Sequence, residues 1–170
     1  MGAWISPSPG IRYWETSWTY PITVFTEALP VLGCGRGDSQ PFQVITAPWM
    51  DAEKTARAFN RLRLSGFCAT PFWNPEPGIR LEASHPDRIQ PFAAAVHTLS
   101  LLQRMYGVAQ IWNAPETRPE WFDKLMGSPM VREALQKNEA PAKIIAAARV
   151  GSSDFRRARA EALLYSPAIG

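Results

Sequence analysis

A glycine-rich turn with acidic residues near it holds the side chains of this sequence that are best suited to chemistry. The turn covers residues 33–38 and alternates three glycines with other residues, Arg36 among them. Glu27 precedes the turn, Asp38 closes it, and Glu15 lies earlier in the chain. Glycine is used where the backbone needs a positive φ or a close approach to another group. The turn therefore indicates a backbone shaped to hold one guanidinium at a defined point.

The chemistry that these residues could carry is glycoside cleavage. That reaction uses a carboxylic acid to protonate the leaving oxygen and a second group to stabilise or attack the sugar cation. Arg36 beside the carboxylates would lower their pKa or bind an anionic sugar substituent, such as the lactyl carboxylate of muramic acid. The competing interpretation is a solvated turn with ordinary surface acids. The sequence spacing of Glu15 and Glu27 does not decide between the two.

Other catalytic and binding motifs are missing from the sequence. It has no nucleophile elbow, no P-loop and no His-Glu-x-x-His pattern. The glycines of the turn do not match the dinucleotide fingerprint, which needs a following helix where a strand is predicted here. The two cysteines and two histidines lack metal-ligand spacing, so we expect no metal site and no cofactor. We expect Cys34 and Cys68 to be two buried thiols, although one disulfide stays open.

Composition narrows the class of protein. The 170 residues are 46% hydrophobic and 19% charged, as in ordinary soluble domains, and the net charge of +3 is too small to indicate nucleic-acid binding. Sixteen prolines and seven tryptophans indicate shaped loops and apolar or sugar-stacking surface. No apolar run reaches the length of about 18 residues that a membrane span needs, so no membrane partner is predicted. The N-terminus lacks the pattern of a signal peptide, which makes the cytoplasm the default location.

Loops and short strands are predicted for the N-terminal half. A proline- and aromatic-rich stretch without helical period predicts an ordered loop over residues 1–21. Runs rich in β-branched and aromatic residues predict strands. The predicted strands cover residues 22–26, 42–46, 67–73 and 78–84, the last two joined by a turn at 74–77. In the last strand polar residues, Arg80 among them, alternate with apolar ones, so one face should contact water.

Helices are predicted for most of the remaining chain. Asp51 is the expected N-cap of a helix that ends near Leu64. The clearest helix covers residues 91–106, where apolar residues repeat at three- and four-residue steps before Gly107. Four shorter helices are expected in the C-terminal third, beginning at Pro119, at Pro129 after a Ser128 cap, at Pro141 and after a cap at Ser152 or Ser153. Strands followed by helices predict an α+β domain, with short strands in the N-terminal half and a helix-rich C-terminal half.

Two further features are interpreted as structural. His97 lies beside the apolar stripe of the long helix without a polar partner at helical spacing, so a packing role is favoured over a ligand or base. The last predicted helix carries Arg156, Arg157 and Arg159, and a solvated face is favoured over a site for polyanions.

A series of short motifs runs through nearly the whole sequence in a fixed order. The motifs are Ser8-Pro9, Glu15-Thr16, Tyr20-Pro21, Glu27, Gly35-Arg36-Gly37, Pro41-Phe42, Ala47-Pro48-Trp49, the segment from Arg80 to Pro91 with Asp87, and Phe155, Arg159 and Leu163-Leu164-Tyr165. Each motif alone is weak, but together they resemble the bacterial exo-acting β-N-acetylmuramidases of the NamZ type. Members of that family release terminal N-acetylmuramic acid from peptidoglycan by hydrolysis.

The resemblance implies a domain organisation. Family members have an N-terminal Rossmann-like domain and a C-terminal domain, with the sugar site in the cleft between them. This sequence resembles the C-terminal domain alone, so we expect residues 1–170 to form one domain and the Rossmann-like domain to be absent. The partners that the resemblance implies are a muramic-acid-containing sugar and a separate Rossmann-like domain.

The resemblance also implies which residues form the site. Glu27 would be the catalytic residue of this domain. The residues implied in substrate binding are Arg36, Gly35, Gly37 and Glu15. Arg36 would pair with an anion of the substrate or orient the Glu27 carboxylate, while the glycines let the backbone come close to the sugar.

Departures from the family's usual residues lead us to expect that this chain is inactive by itself. The family usually has Gly-Thr-Asn after the glutamate, where this chain has residues 28–30, Ala-Leu-Pro. Asp38 replaces a usual threonine, and residues 10–13 replace Asn-Met-Pro-Thr. A non-catalytic module that binds cell-wall sugar or another protein through exposed tryptophans is the alternative.

Overall fold

The first helix replaces a predicted loop and strand. The structure, a computed structural model, describes residues 4–164. Helix α1 covers Thr16–Thr23, and a 3-10 helix, Val24–Ala28, continues it. The predicted loop agrees with the structure over residues 4–15 and is wrong over residues 16–21, while residues 1–3 lie outside the described part of the chain. The prediction of a strand over residues 22–26 is wrong.

The threonines of α1 show how a strand-like sequence is accommodated in a helix. The hydroxyl of Thr23 donates to the carbonyl oxygen of Thr19 in the preceding turn at 3.2 Å. Such bonds let threonine remain in a helix without an unsatisfied hydroxyl. Ile22 and Phe25 are fully buried in the core. The other buried positions of α1 are Thr16, Thr19 and Thr23, so its buried face shows no apolar helical period in the sequence.

A three-stranded antiparallel sheet lies beside the helices. Its strands are β1 (Val44–Thr46), β2 (Phe67–Trp73) and β3 (Pro77–Ala83), in the order β1-β3-β2. In the register of the central strand, Gly78 lies opposite Thr46. A Cβ atom on Gly78 would lie 2.2 Å from the carbonyl oxygen of Ile45, so only glycine lets β1 approach this closely. The β2–β3 hairpin agrees with the prediction, whereas β1 is shorter than expected.

Helix α2 (Ala52–Arg61) covers the sheet. Asp51 caps it as predicted, accepting a hydrogen bond from the Lys54 backbone N–H at 2.9 Å. The Asn60 side chain bonds both the N–H and the carbonyl of Ala69 at 2.8 Å, which fastens the helix to β2. The helix ends a few residues before the predicted Leu64.

The remaining helices agree closely with the sequence patterns. They are α3 (Pro91–Tyr106), α4 (Val108–Trp112), α5 (Pro119–Met126), α6 (Pro129–Gln136), α7 (Pro141–Ala148) and α8 (Ser152–Ala160). Helix α4 was not predicted, and α8 starts after Gly151 without a serine side-chain cap. The fold is α+β, as predicted.

Helix α3 is the centre of the core. It packs against α1, α4 and α7, and its Leu99 and Leu102 are fully buried. The Gln103 side chain accepts a hydrogen bond from the Trp112 indole N–H at 2.8 Å, so a buried polar group is satisfied. In the part of the chain that the structure describes, no helix has the length and apolarity needed to cross a membrane.

Candidate functional site

Glu27 is presented by the 3-10 helix that follows α1. Its neighbours Thr26 and Ala28 are buried, whereas its own side chain remains 18% exposed. Arg118, just before α5, donates from its guanidinium to the Glu27 carbonyl oxygen at 2.5 Å and from its backbone N–H to the Ala28 carbonyl at 2.9 Å. The backbone of Glu27 is therefore held in place by the helical half of the chain.

The glycine turn is shaped by positive backbone angles. Gly35 has φ +69° and Gly37 has φ +95°, both in the region that favours glycine. A Cβ atom on Gly35 would lie 2.6 Å from the Gln40 carbonyl oxygen, whereas one on Gly37 would meet open space. Two hydrogen bonds between Gly33 and Thr46 tie the start of the turn to the end of β1. The turn thus has a close-packed beginning and an open tip.

The tip brings Arg36 against Glu27. The Arg36 Nη1 atom donates to Glu27 Oε1 at 2.7 Å, and the arginine side chain is 71% exposed. Among residues 4–164, no hydrogen bond reaches the second oxygen, Glu27 Oε2. A pair this exposed contributes at most about 1 kcal/mol to stability. The pair therefore contributes little to the stability of the fold.

Two clefts meet at this pair. The hairpin cleft, about 400 Å³, lies between the glycine turn, the hairpin tip at 74–76 and Arg118. The N-terminal cleft, about 560 Å³, lies between residues 8–12 and Phe42. Glu27 and Arg36 line both clefts. A ligand that enters from either side therefore meets the same carboxylate and guanidinium.

Glu15 lies in a different place. It lines a third cleft of about 570 Å³, which we call the arginine cleft, together with Gln40, Arg80 and Glu82. The structure thus brings Glu27, Arg36 and the two glycines together and leaves Glu15 apart from them. Asp38 lines the hairpin cleft.

The cysteines and histidines lie outside the paired clefts, apart from Cys34. Cys34 is buried, Cys68 is half-buried, and both are free thiols, so the alternative of a disulfide is wrong. Burial and the Glu82 carboxylate raise the pKa of the Cys68 thiol. Burial and then the Arg104 charge lower the pKa of His97, which agrees with a packing role. Within the described range, no group of His, Cys, Asp and Glu side chains is suited to hold a metal ion.

Sequence reasoning missed two parts of the site. One is Arg118, which is 91 positions from Glu27 in the chain. The other is the hairpin tip at 74–76, which was predicted only as a turn. No local pattern signals either of them, because both reach the cleft through tertiary packing. Pro119 indicated that a helix starts after Arg118, but it did not indicate that this helix end would pack beside Glu27.

The fold and the site together define an α+β domain with an arginine–carboxylate pair between two open clefts. A family model described as "Exo-beta-N-acetylmuramidase NamZ, C-terminal" matches residues 18–165. The chain therefore belongs to this family, and the resemblance seen in the sequence is confirmed.

Two relatives give the extent of the similarity. The chain is 24% identical over 171 aligned residues to the peptidoglycan β-N-acetylmuramidase NamZ of Bacillus subtilis (strain 168), covering 95% of this chain and 40% of the relative. A crystal structure of a DUF1343 family protein from Bacteroides fragilis superposes with a TM-score of 0.84 at 24% identity, over 96% of this chain and 45% of that one. The chain spans less than half the length of either relative.

Proposed function

We propose that this chain supplies one side of the sugar cleft of a peptidoglycan exo-β-N-acetylmuramidase. Terminal N-acetylmuramic acid would bind where the hairpin and N-terminal clefts meet. The observation that carries the proposal is the Glu27–Arg36 pair, 2.7 Å long, at the junction of two clefts in a member of this family.

The proposed roles follow from the exposure and bonding of the pair. Arg36 is largely exposed, so its guanidinium can turn from Glu27 to the lactyl carboxylate of muramic acid and form a charge-assisted fork. Glu27 Oε2 has no hydrogen-bond partner among the described residues, which leaves one carboxylate oxygen for a sugar hydroxyl or a developing cation. A Cβ atom on Gly37 would meet open space, so this glycine keeps the tip of the turn free of a side chain where the sugar ring would approach. Gly35 acts indirectly, because its close packing against the Gln40 carbonyl shapes the turn that presents Arg36.

Turnover is proposed to need a second domain. The chain matches 40% of the length of the curated muramidase, and we propose that a Rossmann-like domain on a separate or longer chain completes the cleft. Tyr13 and Trp14, which follow the segment 8–12 of the N-terminal cleft in the chain, are 50% and 47% exposed and are suited to contact it. By itself this domain is expected to bind sugar weakly and to be inactive.

A non-catalytic sugar-binding module is the second candidate. Trp73, at the end of β2 next to the hairpin tip, is 60% exposed, and Trp121 on α5 is 40% exposed. Flat exposed indoles can stack on the apolar faces of sugar rings. This candidate predicts muramyl sugar binding that depends on Trp73 and involves no hydrolysis in any combination of domains.

Hydrolysis of a chromogenic β-N-acetylmuramide distinguishes the two candidates. The chain is assayed alone and together with the N-terminal domain of a family member. We expect activity only in the mixture, and Glu27→Gln should reduce it at least about a hundredfold. The matched control is Glu53→Gln, which removes an exposed glutamate that pairs with Arg57 on α2. Activity that survives Glu27→Gln would contradict the catalytic role, and binding without hydrolysis would favour the module.

A further inference from the structure

We propose that the arginine cleft is a second ligand site, which takes a small zwitterion of the amino-acid class. This cleft of about 570 Å³ lies between the start of α1, the exit of the glycine turn and β3. Its size is within the range of small-molecule sites, about 300–1,000 Å³. The proposal does not depend on the muramidase assignment, because Glu27 and Arg36 do not line this cleft.

Arg80 provides the site for a negative charge. It lies on the central strand β3, between Val44 of β1 and Thr70 of β2. Its Nε atom is shielded from solvent and has no hydrogen-bond partner. Among the ion pairs of residues 4–164, none involves Arg80. A guanidinium held by a sheet without an acidic partner is suited to receive a carboxylate from a ligand, since its planar fork matches that group.

Gln40 provides an acceptor on the same cleft. Its Oε1 atom is also shielded from solvent and lacks a hydrogen-bond partner. Buried polar atoms are normally paired, so an unpaired donor and an unpaired acceptor on one cleft are notable. A ligand with a carboxylate and an N–H group could engage both side chains once they turn slightly towards it.

Two carboxylates set the charge of the ligand. Glu15 and Glu82 line the cleft, and both are exposed. A simple anion would be attracted by Arg80 but repelled by the two glutamates, and a simple cation would be attracted by the glutamates but repelled by Arg80. A molecule that carries both an ammonium and a carboxylate satisfies the two kinds of group at once. The sugar contact that the family resemblance implies for Glu15 stays a separate prediction.

NMR titration of the full chain with four probes tests the proposal. Glycine and glycylglycine are the zwitterions, while acetate and methylamine each carry one half of the charge pattern. We expect both zwitterions to shift backbone resonances around Gln40 and β3. Acetate and methylamine should each bind at least about tenfold more weakly than glycine. Equal binding of acetate and glycine, or no binding of either zwitterion at millimolar concentration, would overturn the proposal.

Substitutions locate the binding. Arg80→Met should weaken glycine binding about tenfold, whereas Arg57→Met, which removes an exposed arginine on α2, should leave it unchanged. If Arg80→Met prevents folding, Gln40→Met and Glu82→Gln supply the readout, and each should weaken glycine binding. Glycine binding that persists in these last two variants would overturn the assignment of the cleft. Arg36→Met should not affect glycine, which separates this site from the proposed sugar site.

Discussion

Two arginine–carboxylate pairs in this chain differ in geometry and, we infer, in purpose. Asp123 of α5 accepts two parallel hydrogen bonds of 2.8 Å from Arg132 of α6, and the two side chains are 17% and 19% exposed. The Glu27–Arg36 pair has one bond of 2.7 Å, and its arginine is 71% exposed. The hydrogen bond from Arg132 to Asp123 raises the pKa of that arginine.

The difference separates a structural pair from a pair available to a ligand. The α5–α6 pair uses both oxygens of its carboxylate on one partner and is shielded from solvent, so it fastens two helices. The pair at the clefts leaves one carboxylate oxygen and most of the guanidinium open. Sequence alone does not distinguish these cases, because each is one acidic and one basic residue, nine positions apart.

Removing Arg132 should have the largest effect on stability. Arg132→Met leaves the half-buried Asp123 carboxylate without its two hydrogen bonds, which should lower the free energy of unfolding by about 2–3 kcal/mol. Arg36→Met is the control and should change it by less than about 0.5 kcal/mol. Chemical denaturation measures both. Similar losses in the two variants would mean that the exposed pair is structural as well.

The glycine turn allows a second test within the site. Gly35→Ala forces a Cβ atom to 2.6 Å from the Gln40 carbonyl oxygen at a positive φ, and should cost about 2 kcal/mol. Gly37→Ala meets open space and carries only the backbone strain, about 1 kcal/mol. The same denaturation assay compares them. Equal costs would show that the start of the turn can relax and does not hold Arg36 rigidly.

Sugar binding sharpens the comparison of the two pairs. Arg36→Met should weaken the binding of N-acetylmuramic acid about tenfold, with little change in stability. Arg36→Lys keeps the charge but loses the planar fork, so it should recover only part of the affinity. Calorimetry or NMR titration gives the dissociation constants, and N-acetylglucosamine, which lacks the lactyl carboxylate, is the control ligand. An equal loss for both sugars would contradict recognition of the carboxylate by Arg36.

Much of the fold follows from local sequence signals. The α3 periodicity, the Asp51 cap and the β2–β3 hairpin all appear where the sequence predicts them. The failure over residues 16–28 has a physical cause, since the buried face of α1 consists mainly of threonines and shows no apolar period. The Thr23 hydroxyl is satisfied by a carbonyl oxygen of the preceding turn, so this face can be buried. Tertiary packing overrides the local preference at that point.

The candidate site was predictable only in part. The glycine turn indicated that Arg36 would be presented, and family motifs connected it with Glu27. Neither signal reaches Arg118, whose hydrogen bond to the Glu27 carbonyl depends on how α5 packs on the 3-10 helix. The arginine cleft was also missed, although the alternation in β3 predicted a polar side for Arg80. The approach of α1 to β3 decides which side chains line this cleft. No local sequence pattern predicts that approach.

The smallest expected effect concerns His97 on α3. It tests whether protonation of this half-buried side chain lowers the free energy of unfolding. Burial and the Arg104 charge lower the pKa of His97 below its ordinary value of about 6.5. Above that pH the ring is neutral in both the folded and the unfolded state, so stability is unaffected. As the pH falls through 6.5, the unfolded chain binds the proton first, and stability declines until the pH has passed the folded pKa. We therefore expect His97→Gln to flatten the loss of stability as the pH falls below about 6.5, as measured by denaturation at several pH values. His85→Gln is the control, because it removes an exposed histidine that lies outside α3. If the free energy of unfolding of wild type and of His97→Gln changed equally with pH, folding would not disfavour the charged form of His97.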